Sequence, residues 1–299
     1  MGRNVMDKTI LSANVHSARL SRDEMNQIID LDRYPLHRLD EKEGQALIQQ
    51  CQNDLDTNAA SALHDFIRPA AIERMTAEVN DLITTSYRFT GEPRHTYPDP
   101  APEADSDPIA QTVRAMRHKN SNNQVLNYQI PNNSDLRVMF LWPELKEFVR
   151  RVRRVDTLHQ SQCPHLGLTY KIAFEGDNDG WHYDPNDGVV TLLLQTPDKG
   201  GEFEYAPHIR SEADENYAGV KRLFDAPEDY GQRVEQRPGT LTFFNGRHSM
   251  HRVREIGVTC KPRIVGIFSF DQNPDQVFGQ SYIKMIHALP QGQPGKSAP

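Results

Sequence analysis

Apolar residues recur along this chain at two different periods, and the change falls near residue 163. Before it the spacing is helical. Residues 41–56 carry Ala46, Leu47, Cys51 and Leu55 on one side of a 3.6-residue turn. Pro69 opens a second helical segment with Ile72, Met75, Val79 and Leu82, and residues 134–155 a third with Leu136, Met139, Leu145, Phe148 and Val152. Residues 1–40 are polar and broken by Pro35, an arm with short helical pieces, and 63–67 read as a short strand or turn. Beyond Cys163 the pattern becomes that of short strands bounded by Gly, Pro, Asn and Asp: 166–174, 181–184, 189–195, 201–205, 233–236, 239–244, 249–255 and 262–271. The stretch 189–195 is apolar enough to be buried on both faces, and 211–229 reads as a helical insertion between strands. Eight strands at this spacing predict a closed or sandwiched all-β unit beside a helical half.

Composition changes this picture little. The 299 residues carry a net charge of −7, so no basic footprint points to nucleic acid or to an anionic membrane surface. No apolar run reaches the length of a membrane span, and the first residues lack the apolar core of a signal peptide. Cys51, Cys163 and Cys260 are scattered, as free thiols in a reducing compartment are, and the expected location is the cytoplasm. Residues 91–108 hold five prolines and read as a long irregular loop, a candidate lid. The basic cluster Arg150, Arg151, Arg153 and Arg154 reads as a solvated helix face.

The candidate chemistry lies in Gly180-Trp181-His182-Tyr183-Asp184. In an extended strand His182 and Asp184 leave the same face with Cα atoms roughly 6.6 Å apart, so both can reach one cation. A third ligand must come from elsewhere, and Gly246-Arg247-His248-Ser249-Met250-His251-Arg252-Val253 offers two. If that stretch is extended, His248 and His251 point to opposite faces and only one can serve. Two imidazoles and one carboxylate form the facial triad that leaves open positions on non-haem iron(II). Trp181 and Tyr183 then face away from the metal as packing residues, and Arg252 and Arg254 face opposite to His251.

From about Leu166 to Asp271 the chain resembles the iron(II)/2-oxoglutarate-dependent dioxygenase superfamily. Gly180-Trp181-His182-Tyr183-Asp184, Val190-Thr191-Leu192-Leu193-Leu194-Gln195, Gly200-Gly201-Glu202-Phe203-Glu204-Tyr205, Gly239-Thr240-Leu241, Phe244-Asn245-Gly246-Arg247 and His251-Arg252-Val253 are similar to its branch of free-amino-acid hydroxylases and lysine-type radical halogenases. The resemblance implies an α+β protein with a double-stranded β-helix (jelly-roll, cupin-like) core over 161–275. A mainly helical region, 1–160, would pack against it, and 276–299 would form a C-terminal helix and flexible tail, all in one structural domain. It implies His182, Asp184 and His251 as iron ligands, the family's His-Arg-Val pattern favouring His251 over His248. It also implies Arg263 as the partner of the far carboxylate of 2-oxoglutarate, with O2 as the second co-substrate. Arg263 would share a strand face with Val265, Ile267 and Ser269, and Asn245 is a candidate substrate contact.

Many superfamily members place a tyrosine nine residues before the first histidine. Here that position is Ala173. Because Asp184 keeps the carboxylate that halogenases lack, the expected reaction is hydroxylation of a small molecule, an amino acid or a derivative, with release of succinate and CO2. A zinc hydrolase using the same three ligands and a cupin-type binding module without turnover are the competing expectations. A homodimer is left open.

Overall fold

The computed structural model describes residues 21–89, 94–97, 107–185, 188–275 and 278. The expected N-terminal arm up to residue 20, most of the candidate lid and the expected C-terminal helix lie outside the described residues.

The helical periodicity is realised where it was strongest. Leu47, Cys51 and Leu55 are buried along the helix Lys42–Asn58, which ends where Ala59 turns left-handed (φ 59°) and donates its N–H to Leu55 O. The helix Pro69–Leu82 begins on its proline and buries Ala71, Met75 and Val79. The third segment is two helices, Asp135–Leu141 and Pro143–Val152, because Pro143 cannot continue the first and instead opens the second.

These helices cover one face of a curled antiparallel sheet, twelve-stranded among the described residues. Its order runs Ala60–Leu63, Thr240–Phe244, Val189–Gln195, Arg263–Asp271, Leu168–Ala173, Asn120–Val125, Asn178–His182, Met250–Val253, Phe203–Ala206 and Gln232–Arg233, with Tyr87–Phe89 and His159–Gln160 as side branches. This is the double-stranded β-helix. In its larger half one side of each strand packs under the helices: Tyr170, Leu192, Phe243 and Phe268 are fully buried there, Phe148 meets Phe243 edge to face, and Gly266 admits Leu136. The opposite side, with Thr191, Leu193, Val265 and Ile267, lines a cavity of about 150 Å³. The strand 189–195 is thus buried on its core face, while on the cavity face Leu193 is buried and Val189, Thr191 and Gln195 are half-buried.

In the smaller half the outward residues Trp181, Tyr183 and Met250 pack with Val220 and Leu223 of the helix Tyr217–Asp225 and Val113 of the helix Pro108–Ala115. The helical insertion is therefore present, and it covers the back of the strands that carry the histidines.

Three features depart from the sequence pattern. The first strand is Ala60–Leu63, and the segment 63–67 expected as a short strand or turn holds the turn that follows it; the strand's small residues carry no strand signal, and their pairing with Thr240–Phe244 decides the conformation. The strand Asn120–Val125 is wholly buried yet polar at every position but the last, so neither alternation nor apolarity announces it. It joins the two halves of the sheet by pairing with both Leu168–Ala173 and Asn178–His182. Its polar side chains find partners remote in sequence: Ser121 donates to Asp177, which Arg88 also clasps through both guanidinium nitrogens, and Asn123 donates to Ser86.

The third departure is Arg153: the other arginines of the basic cluster lie half-exposed or exposed on the helix surface, as expected, and are paired there. Arg150 and Arg151 share Glu147, whose carboxyl they hold down at about 2, and Arg154 pairs with Asp56. Arg153 donates to Asn245 Oδ1 (2.8 Å), Phe244 O (2.9 Å) and Val189 O (3.3 Å), fastening the helical half to two strands. Three charge-assisted bonds to otherwise inward-facing acceptors predict a loss of about 2 kcal/mol for Arg153→Ala, read as a lower urea midpoint at unchanged slope.

Candidate active site

His182 ends the strand Asn178–His182, and His251 lies on Met250–Val253 directly across from it as its register partner. Side chains paired in this way stand on one face, and the two imidazole centroids are 4.0 Å apart. Each ring has Nδ1 against a carbonyl two residues back, Gly180 O at 2.7 Å and Ser249 O at 3.1 Å. Those contacts fix the tautomer and aim both Nε2 atoms the same way.

Asp184 meets them there. Its Oδ1 is 3.8 Å from His182 Nε2 and its Oδ2 is 3.5 Å from His251 Nε2. One donor atom from each of the three residues falls within 4.8 Å of the others, a cluster able to hold a metal ion. Asp184 is placed by the backbone of Gly246, whose carbonyl accepts its N–H at 3.1 Å. A Cβ on Gly246 would fall 2.2 Å from Asp184 Oδ2, so only glycine leaves room for the carboxylate here.

His248 lies in the turn before the strand Met250–Val253, so strand alternation does not govern it, and it turns away to meet Glu212 at 3.1 Å. Trp181 and Tyr183 are packing residues. The Arg252 guanidinium lies 4.5 Å over the Trp181 ring and that of Arg210 3.8 Å over Tyr183. Asn245 is placed otherwise than the sequence led us to expect. Its side chain accepts from Arg153 and donates to Leu55 O (3.4 Å), in the seam between helices and sheet, and it is not among the residues that line the cavity.

The cavity runs from Asp184 and His251 to Arg263, with the aromatic rings of Phe203 and Phe244 beside His251 (centroids 5.6 and 4.8 Å). Arg263 is nine-tenths buried, and burial lowers its pKa to about 10 against the opposing pull of Asp179, which leaves it cationic at neutral pH. The Gln236 amide, oriented with its oxygen toward Arg263 Nη2 (3.2 Å), also accepts from Phe203 N–H (3.2 Å) and donates to Gly201 O (3.1 Å). Val265 and Ile267 share the Arg263 face, as strand alternation predicts.

Two cavity residues had no sequence signal. Between His251 and Val253 the register slips, so that Val253 faces Asp179 and not Gly180. The extra residue brings Asp179 to the cavity face three positions from His182, and sends Gly180 and Trp181 out to a cleft on the reverse side. Gly180 passes so close to His118 that a Cβ would meet His118 Cβ at 2.2 Å. Once inside, Asp179 forms an ion pair with Lys171, a second inward-facing charge.

Behind the site, burial and then the nearby Arg252 charge lower the His118 pKa to about 4. The unfolded chain, with an ordinary histidine near 6.5, binds more protons between these values. The His118 contribution to stability is therefore full above pH ~6.5 and is lost as pH falls toward 4. In urea unfolding at pH 7.5 and 5, His118→Gln should lose less stability on acidification than the wild type does.

No family model and no curated protein matches the sequence. Solved structures do resemble the fold. The non-heme alpha-ketoglutarate-dependent carbocyclase SnoK from nogalamycin biosynthesis aligns with a TM-score of 0.53 and 12% identity, over 82% of this chain and 92% of its own. The non-heme alpha-ketoglutarate-dependent epimerase SnoN from the same biosynthesis aligns with a TM-score of 0.51 and 13% identity, over 76% and 83%. At such identity the likeness establishes the architecture: a double-stranded β-helix protein, here with a His-x-Asp…His cluster at the cavity mouth. Among the described residues no helix is long and apolar enough to cross a membrane.

Proposed function

We propose that this protein is an iron(II)- and 2-oxoglutarate-dependent oxygenase that hydroxylates an unactivated C–H bond of a small molecule, an amino acid or a derivative, releasing succinate and CO2. The observation that carries the reading is one cavity with Asp184 and His251, which cluster with His182, at one end and the buried cation of Arg263 at the other. The donor set fits ferrous iron, since two imidazoles and one carboxylate on one side leave coordination positions facing the cavity. Bound there, iron(II) supplies activation of dioxygen coupled to oxidative decarboxylation of the keto acid.

The chain's own residues do the rest. His182, Asp184 and His251 orient the metal, while the fixed guanidinium of Arg263, braced by Gln236, takes the far carboxylate and sets the depth of the keto acid. Phe203 and Phe244 keep water from the space beside His251. Charge supports a diacid over a monoacid. Lys171 and Arg263 balance Asp179 and Asp184, with Glu235 at the exposed rim, so a divalent cation leaves two positive charges for the ligand to match.

A carboxylate at 184 supports hydroxylation over halogenation, and the motif resemblance supports an amino-acid substrate. A cytoplasmic location belongs to the same reading. The test is spectroscopic and then chemical. Iron(II) plus 2-oxoglutarate without oxygen should give a weak visible metal-to-ligand band, and air plus a panel of amino acids should reveal one that stimulates succinate release and gains 16 mass units. Turnover that persists under strict exclusion of oxygen would replace this reading with hydrolysis at the same ligands.

A further inference from the structure

We infer that Lys171 is a specificity-determining residue for the co-substrate: a second cation that, with Arg263, reads the far carboxylate of the keto diacid, with Asp179 as the residue that positions it. The inference rests on the proposed co-substrate and extends it to a residue outside the motif.

The register places Lys171. On the strand Leu168–Ala173, Ala173 faces Arg263 and Lys171 faces Val265, so Lys171 and Arg263 are diagonal neighbours on the cavity face. Such neighbours lie ~7–8 Å apart at the backbone, a span over which two long side chains converge on a single carboxylate. Ala173 has no polar atom to offer the guanidinium beside it. On this strand the charge that reaches the cavity is that of Lys171.

Its present partner shows that the ammonium is held inside. Lys171 pairs with Asp179, and the two side chains are only 23% and 9% exposed. A buried ion pair is a poor stabilising device, because desolvation cancels much of the attraction and an apolar pair of the same volume packs as well. This pair also depends on the register slip that turns Asp179 inward. Held there, it gives the Arg263 end of the cavity a charge that can turn. An ammonium has three donors on a flexible stem, so Lys171 can keep Asp179 and still donate to a ligand oxygen. Arg263, by contrast, is held by Gln236.

The experiment titrates the visible band of the anaerobic iron(II) protein with two keto acids of equal chain length, 2-oxoglutarate and 2-oxopentanoate, which lacks the far carboxylate. Lys171→Met should weaken 2-oxoglutarate by roughly tenfold to a hundredfold, the worth of a charge-assisted hydrogen bond, and leave 2-oxopentanoate within about twofold. Lys171→Arg should recover most of the loss. Because Lys171→Met leaves Asp179 without its cation, the neutral double variant Lys171→Met/Asp179→Asn is titrated alongside and should show the same selective loss. Equal weakening of both keto acids, or of neither, overturns the role of Lys171 while leaving the co-substrate in place. Failure of the wild type to bind 2-oxoglutarate removes the co-substrate itself, and the inference with it.

Discussion

Exchanging Gly246 for alanine should cost this protein its metal almost as surely as exchanging a ligand. The added methyl would stand 2.2 Å from Asp184 Oδ2 and 2.8 Å from its Cγ, the space the carboxylate occupies. Since the Gly246 carbonyl also accepts the Asp184 N–H, the loop cannot retreat without releasing the backbone that places the ligand. Displaced supporting groups typically lower metal affinity 10–100-fold, and a displaced ligand lowers it further. We therefore expect iron(II) affinity to fall by about a hundredfold or more, with succinate formation falling in step. Gly257→Ala is the control, because its Cβ would meet only the methylenes of Lys199, which can move aside. Metal titration of the two variants decides the matter: if Gly246→Ala binds iron as well as Gly257→Ala does, Asp184 is not a ligand.

Loss of the Arg263 guanidinium should instead spare the metal and abolish recognition of the diacid. Arg263→Ala should bind iron(II) normally and require about two to three orders of magnitude more 2-oxoglutarate, the usual cost of deleting one member of a desolvated charge pair. Arg263→Lys should fall between, since an ammonium keeps the charge and loses the two-pronged geometry. The readouts separate the roles, with equilibrium iron binding for the ligands and the concentration dependence of the visible band for Arg263. A variant that used 2-oxoglutarate as readily as the wild type would remove Arg263 from the site.

Much of the site was legible because it obeys the period of an extended chain. His182 and Asp184, two positions apart, converge as expected although the strand itself ends at His182, whereas His248 is set aside by the turn before the strand of His251. Arg263, Val265 and Ile267 line the cavity by strict alternation. Asp179 broke the rule. A strict alternation counted back from His182 sets it with Trp181 on the outer face, and only the slip against Val253 brings it inside. Asn245 failed differently. Proximity to the motif suggested a substrate contact, but Arg153, remote in sequence, had claimed its oxygen.

The sequence by itself determined most of the helices and strands and the nearness of His182 to Asp184, because these follow from local spacing, while His251 and Arg263 were singled out by the resemblance of their motifs. Tertiary structure alone decided the rest. The polar strand Asn120–Val125 gains its hydrogen bonds from partners distant in the chain, so no local property marks it as a strand. The Lys171–Asp179 pair likewise exists only once two strands have settled their register, a choice made by the packing of the whole sheet and not by the residues that it brings together.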